Sequence, residues 1–340
     1  MTTAPTLPQF ITDGGIETHL IFNMGMALPH FSVFPLNDSA AGRDAIRSYY
    51  RDYLSIAKAA GRNFLFATDS WRASSDWADL LGYDRALLKQ NNVTSVSLCA
   101  EVADEFAAAG VASTIAGIIG PRRDAWQYDA GMTVAEAFDY HSPQLEAFAG
   151  TSATSLHAYT LTNTPEAIGI TRAAERIELP VVLSFTVETD GALPGGKPLG
   201  IAIAEVDEAT GGYPAYYMIN CAHPRHFSRE LKGGASWVSR IGGLRANASA
   251  KSHAELDASP DIDVGDVAEL ADYHAELLPS LPNLQLIGGC CGTDHRHIAA
   301  ICARCLCKKR HAARCPARLQ GAISRQSNTG DRKRTYRRGR

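Results

Sequence analysis

The chain has 340 residues, 45% of them hydrophobic and 20% charged, which is the balance of a globular protein able to bury a large core without staples. No run of 18 apolar residues occurs, which excludes a helical membrane span; the opening MTTAPTLPQFITDGG lacks the basic and apolar blocks of a secretory leader, so a cytoplasmic protein is expected. The net charge of −3 hides an asymmetry, because residues 304–340 hold 13 of the 33 Lys and Arg and one acid, Asp331.

In chain order, short apolar runs alternate with helical patterns. A strand at 10–14 precedes a helix at 44–60, where Ile46, Tyr50, Tyr53, Leu54 and Ala57 recur at helical spacing. Strand 64–68 leads to helix 85–109, and strand 113–120 leads to helix 134–149. Strand 154–160 leads to helix 164–178, and strand 180–188 leads to helix 198–210. Strands 215–221 and 241–247 follow, then a helix at 264–278 with Val267, Leu270, Ala271 and Leu278 on one side. Strand 284–290 and a helix opening at His295, capped by Thr293 or Asp294, complete the pattern. Several strands are apolar on both faces, as buried parallel strands are. Eight strands alternating with helices predict a (β/α)₈ TIM barrel over residues 8–302. A doubly wound sheet is the lesser alternative, since DGGIETH is not its G-x-G-x-x-G fingerprint. Residues 303–340 are expected to form a basic, disordered tail.

The unusual residues cluster just past the strand ends, which in a barrel form the face where active sites are built. Gly288-Gly289-Cys290-Cys291-Gly292 is the sharpest signal. Neighbouring side chains on a strand point to opposite faces, so two adjacent thiols can share one point only if the strand breaks, and the glycines permit that break. Cys221 ends the sixth strand and supplies a third thiol. Three soft thiolates on one rim suit Zn²⁺, and three protein ligands leave a fourth position open for a substrate thiol. Buried core thiols and a redox pair are the alternatives on spacing alone.

Asp13-Gly14-Gly15, Asn220-Cys221 and Gly288-Gly289-Cys290-Cys291-Gly292 together resemble the homocysteine S-methyltransferase family. The resemblance covers residues 8–302 and implies a zinc-binding (β/α)₈ barrel with Cys221, Cys290 and Cys291 as ligands. It implies that Asp13, with the backbone at Gly14 and Gly15, holds the amino-acid end of the acceptor. It also implies transfer of a methyl group from a sulfonium or quaternary ammonium donor to the thiol of homocysteine, giving methionine. No glycine-rich nucleotide loop is evident, which favours S-methylmethionine over an adenosyl donor.

The sequence departs from the family at strand four, where Tyr159 stands at the position of a Glu that contacts the homocysteine amine. That substitution favours, as an alternative, a related enzyme acting on a different thiol or selenol. Asp69, in Thr68-Asp69-Ser70-Trp71, is a candidate to supply the missing charge or to cap the following helix. Trp71, Trp77, Trp126, Tyr128 and Tyr159 are candidates for a cation-binding aromatic face. Glu188 and Asp190 end strand five and are candidates to bind substrate, Glu188 foremost, or to form ordinary rim hydrogen bonds. Asn220 joins the substrate set and, with Asn247, is expected to satisfy backbone groups near the site; His223 is expected to shape its loop. Cys302, Cys305, Cys307 and Cys315 offer a second zinc site, and the thirteen bases offer a nucleic-acid surface, which together define a non-catalytic alternative. The abrupt change of composition after Ile301 is what a shifted reading frame would produce.

Overall fold

The computed structural model describes residues 7–126 and 132–306. Eight parallel strands close into a barrel in sequence order: β1 (Phe10–Ile11), β2 (Asn63–Ala67), β3 (Ser113–Ile119), β4 (Ser155–Leu161), β5 (Val181–Phe185), β6 (Tyr217–Asn220), β7 (Ile241–Ala246) and β8 (Leu286–Gly289). Phe10 pairs with Leu286 and Ile11 with Ile287 to close the ring. The eight strands fall where the apolar runs predict them. Each is shorter at its C-terminal end than its run wherever the chain leaves the ladder to build the rim: β1 stops before Thr12-Asp13, and β5 stops before Thr186.

The helices are α1 (Ile16–Thr18), α2 (Ala40–Ala60), α3 (Ser75–Leu81), α4 (Arg85–Ala107), α5 (Val134–Phe148) and α6 (Thr164–Arg176). Then come α7 (Leu199–Thr210), α8 (Pro224–Lys232), α9 (His253–Ala258), α10 (Val267–Leu277) and α11 (His295–Cys305). Helix α2 begins four residues earlier than its apolar pattern. The Ser39 hydroxyl accepts from Gly42 N at 3.0 Å, and the first turn, Ala40-Ala41-Gly42, carries no bulky apolar residue to announce it.

The pleat sorts each strand into two faces. Phe64 and Phe66 of β2 pack outward into the layer between barrel and helices, with Tyr50, Leu54 and Ala57 of α2. Leu65 and Ala67 join Ala116, Ile118, Tyr159, Val182, Met218 and Leu286 in a second apolar cluster that fills the barrel interior. On β7, Leu244 packs outward, and Arg245, 5% exposed, stands inward near the top of the barrel. Among the described residues no helix is long and apolar enough to cross a membrane.

The last helix continues through Cys305, past the expected boundary at 302. Cys302 and Cys305 face the core, where burial pushes both thiols up to about 12, so neither is presented to a metal at the surface. Cys307, Cys315 and nearly all the bases of the expected tail lie outside the described residues, as does Tyr128.

Asp294 caps α11: its carboxylate accepts from Arg296 N at 2.9 Å and from the Arg296 guanidinium at 2.6 Å, and lies 3.0 Å from His297 Nδ1. Burial pushes this carboxyl up, but the bonds to His297 and Arg296 prevail and hold it well below the ordinary carboxylate range. Asp294→Ala is expected to cost about 1–2 kcal/mol and lower Tm by a few degrees in a thermal melt. A carboxyl depressed in the folded state contributes stability above its unfolded value of 3.8 and loses it as pH falls further. The gap between wild type and variant is therefore expected to close in melts run below pH 4.

Candidate metal centre

Cys221 is the first residue past β6 and adopts a left-handed backbone conformation, φ +57°, uncommon for a residue with a Cβ. Its carbonyl oxygen accepts from Asn247 Nδ2 at 2.9 Å, from His253 Nε2 at 2.8 Å and from Thr186 Oγ1 at 3.3 Å. Its amide donates to Arg245 O at 3.1 Å. Four bonds over-determine this turn, the condition under which a strained conformation persists.

Cys290 and Cys291 follow β8. Cys290 N donates to Ala246 O at 2.8 Å, and Ala248 N donates to Cys291 O at 3.0 Å. Thr293 binds the Cys290 carbonyl oxygen with its amide at 3.1 Å and its hydroxyl at 2.7 Å. These bonds replace the strand ladder, and Gly292, at φ +78°, makes the turn an L side chain would resist. The end of β7 thus anchors both cysteine segments, one through Arg245 O and the other through Ala246 O. The three sulfurs lie within 4.8 Å of one another, with Cys221 Sγ 3.7 Å from Cys291 Sγ.

The three thiols share their protons unequally. Hydrogen bonds from Cys221 and Cys291, helped by the Arg245 charge, hold Cys290 well below the ordinary thiol range. The bond to Cys290 pushes the Cys221 thiol up, and the bond to Cys221 does the same for Cys291. A shared set of protons on three converging sulfurs is what a soft divalent cation displaces on binding. The donor set, three sulfurs with no carboxylate or imidazole, fits zinc, and no other such cluster of His, Cys, Asp or Glu occurs among the described residues.

The cysteines open onto a cavity at the C-terminal ends of the strands. Its floor is a buried ion pair, with side-chain exposure of 1% for Asp13 and 6% for Arg245. Asp13 Oδ1 accepts from Arg245 Nη1 at 2.6 Å and from Thr12 Oγ1 at 2.9 Å; Oδ2 accepts from Tyr49 OH at 3.0 Å. Arg245 Nη2 donates to Gly14 O at 3.0 Å, and the guanidinium carbon lies 5.0 Å from the Tyr159 ring centroid. Gly15 packs so closely that a Cβ there would sit 2.6 Å from Cys290 O. Burial pushes the Tyr159 phenol up to about 12, so this position carries no charge at neutral pH.

The walls are aromatic. Trp71 Nε1 donates to Thr160 Oγ1 at 3.0 Å, and Trp126 stacks on the His253 ring with centroids 5.0 Å apart. Both line the cavity with Phe31. The Arg72 guanidinium, at the cavity edge, lies 3.9 Å from the Trp77 ring centroid and 4.9 Å from that of Trp71, and Trp77 itself does not line the cavity. Asn220 Oδ1 accepts from Thr160 N at 2.8 Å and from Ser184 Oγ at 2.6 Å, which turns Nδ2 toward Cys290 Sγ at 3.9 Å.

The sequence-predicted residues Asp13, Gly14, Gly15, Trp71, Tyr159, Asn220, Cys221, Cys290 and Cys291 meet at this cavity. Two others do not. Thr68 lines the cavity and Asp69 does not: Asp69 shares the parity of the inward-facing Leu65 and Ala67, but β2 has already ended at Ala67 and the alternation no longer holds. Asp69 is buried and accepts from Asn37 Nδ2 at 3.0 Å, and it does not cap α3, whose cap position is Ser74. Glu188 lies past the end of β5 in a turn closed by Glu188 N to Ala192 O at 2.8 Å. Its carboxylate is 3.1 Å from His253 Nδ1, behind the ring that grips Cys221 rather than in the cavity. His223 caps α8, its Nδ1 accepting from Arg225 N at 3.2 Å, in keeping with a loop-shaping role.

Three contributors give no motif in the sequence. Arg245 sits in the run IGGLRAN, where one polar residue reads as the end of a strand. His253 acts through a backbone carbonyl 32 residues away. Glu17 lines the cavity from α1, a single turn too short for a periodic pattern, and burial pushes its carboxyl up to about 7.

The family model for homocysteine S-methyltransferase matches residues 10–305. Methionine synthase from Mycobacterium leprae (strain TN) is 34% identical over 139 residues, 37% of this chain and 10% of that protein, so the match spans a tenth of that relative's length. The homocysteine methyltransferase MmuM from Escherichia coli has the same fold. Its metallated crystal form superposes with a TM-score of 0.70 at 22% identity, covering 87% of this chain and 96% of the other. Its oxidized form gives a TM-score of 0.70 at 23% identity, with 87% and 95% covered.

Proposed function

The chain belongs to the homocysteine S-methyltransferase family, and on that premise we propose that it transfers a methyl group from a cationic donor, S-methylmethionine foremost, to the thiol of homocysteine. The observation that carries the reading is the convergence of Cys221, Cys290 and Cys291 within 4.8 Å, open on the cavity side. These residues would hold one zinc ion, with the fourth position left to the acceptor. Zinc bound there would supply Lewis acidity that lowers the pKa of the acceptor thiol, which otherwise stays mostly protonated at neutral pH.

The rest of the chemistry belongs to the chain. Asn220, fixed by Thr160 and Ser184, braces Cys290, and the Asn247 and His253 bonds hold Cys221 in its strained turn. The Asp13–Arg245 pair and the Gly14-Gly15 backbone give the cavity floor the polar groups that orient an amino acid. Phe31, Trp71 and Trp126 give the walls the aromatic faces that attract a sulfonium, and they keep water from the reacting sulfur. In the transfer a new bond joins the acceptor sulfur to the methyl carbon. The donor's sulfur–methyl bond breaks with its electron pair staying on the donor sulfur, and the acceptor's thiol proton is released to solvent. With S-methylmethionine, acceptor and donor each become methionine. Catalysis is mainly positioning of the two sulfurs in line through the methyl carbon.

The test is methionine formation from homocysteine with S-methylmethionine, betaine and adenosylmethionine run in parallel. Turnover is expected with S-methylmethionine. Turnover with betaine or adenosylmethionine alone would overturn the donor, and turnover with none of the three would overturn the reaction.

A further inference from the structure

The carboxylates around the cavity are not equivalent. Asp13 is neutralised by Arg245 and also accepts from Thr12 and Tyr49, which fills its nearest acceptor sites. Asp124 is paired with Arg72 at 3.5 Å. Glu17 has no such partner: among the described residues it forms no ion pair, and its only hydrogen bond comes from its own backbone amide. Its neighbours in the cavity are Cys290, Asp13 and Arg245, and Arg245 is already bonded to Asp13. A carboxylate that lines a cavity with no cation of its own is unfavourable until one comes to it.

Its placement says which cation. Gly15 lies against the Cys290 carbonyl, and α1 starts on the next residue, so Glu17 lines the cavity close to Cys290 and Asp13. On the same floor Arg245 Nε is buried without a partner among the described residues. An unpaired carboxylate and an unpaired guanidinium N–H beside a thiol-binding centre complement the two charges of a zwitterionic amino acid. Tyr159, on the facing strand, is a neutral phenol and cannot supply the negative charge.

We propose that Glu17 is the counter-ion of the acceptor's α-ammonium group, and so the residue that makes this enzyme choose an amino-acid thiol over the same thiol without its amine. The inference rests on the methyl-transfer reading and deepens it by fixing the acceptor class and the residue that selects it.

The experiment compares homocysteine with 4-mercaptobutanoate, its des-amino analogue, on the full-length zinc-loaded protein. Steady-state kinetics and calorimetric binding are measured for wild type, Glu17→Gln and Glu17→Asp. Wild type is expected to prefer homocysteine by about 100-fold in kcat/KM, the worth of one charge-assisted hydrogen bond at the upper end. Glu17→Gln is expected to raise the KM and Kd for homocysteine by about 30-fold with kcat little changed, and to leave the analogue's values where they were. Glu17→Asp is expected to recover part of the preference. The proposal is overturned if Glu17→Gln weakens both acceptors equally, if the rise falls on the donor's KM, or if the Kd for homocysteine does not move. A protein that binds homocysteine in a Glu17-dependent way, yet forms no methionine, would keep the role of Glu17 and sink the methyl-transfer reading.

Discussion

Cys290→Ala is expected to leave a folded barrel that no longer retains zinc and no longer forms methionine. Removing an outer-shell partner of a zinc ligand typically costs about 10–100-fold in affinity or activity, so removing the ligand itself is expected to cost at least about 100-fold in both. The loss should be nearly as large for Cys221→Ser and Cys291→Ala and should not grow in the triple variant, because groups that act as a unit are not additive. The fold is expected to survive, since these three residues lie past the ends of β6 and β8 and the core clusters are formed without Cys290 and Cys291. Elemental analysis for zinc per chain, beside a circular dichroism melt, checks both halves. A Cys290→Ala protein that keeps one zinc per chain would contradict the ligand set.

Arg245→Met should have the second largest effect, mainly on stability. The substitution keeps most of the apolar stem but strips the cation from Asp13, whose side chain is 1% exposed. Breaking a buried pair from one side leaves an uncompensated charge and typically costs about 3–5 kcal/mol. The same change removes the donors to Thr12 and to Gly14 O, so the polar floor of the cavity loses its geometry as well. Denaturant unfolding of Arg245→Met is expected to show that loss, and the double variant Asp13→Asn, Arg245→Met is expected to regain much of the stability but none of the activity. A single variant within 1 kcal/mol of wild type would show that the pair is not needed to fold the rim.

The barrel was legible because eight short apolar runs alternate with helical patterns, and several of them are apolar on both faces, as buried parallel strands are. The elements that escaped notice carry little pattern. Helix α8 has nine residues with only Phe227 and Leu231 as large apolar contacts, and residues 12–39 form a rim segment of short turns with no period. The thiol cluster was legible for a different reason: paired cysteines between glycines require a broken strand, and a broken strand end in a barrel lies at the functional face. Past a strand end, however, sequence does not tell which way a side chain turns. That is why Asp69 and Glu188 were expected in the cavity but lie behind it, and why Glu17, which faces it, was passed over. Arg245 shows the complementary difficulty, since its role depends on Asp13, 232 residues away in sequence.

The most direct single measurement is methionine formation from homocysteine and S-methylmethionine before chelation, after chelation, and after return of one equivalent of zinc. Activity that disappears with the metal and returns in proportion to zinc bound would establish that the Cys221, Cys290 and Cys291 centre activates the acceptor. Undiminished turnover in metal-free protein would contradict it.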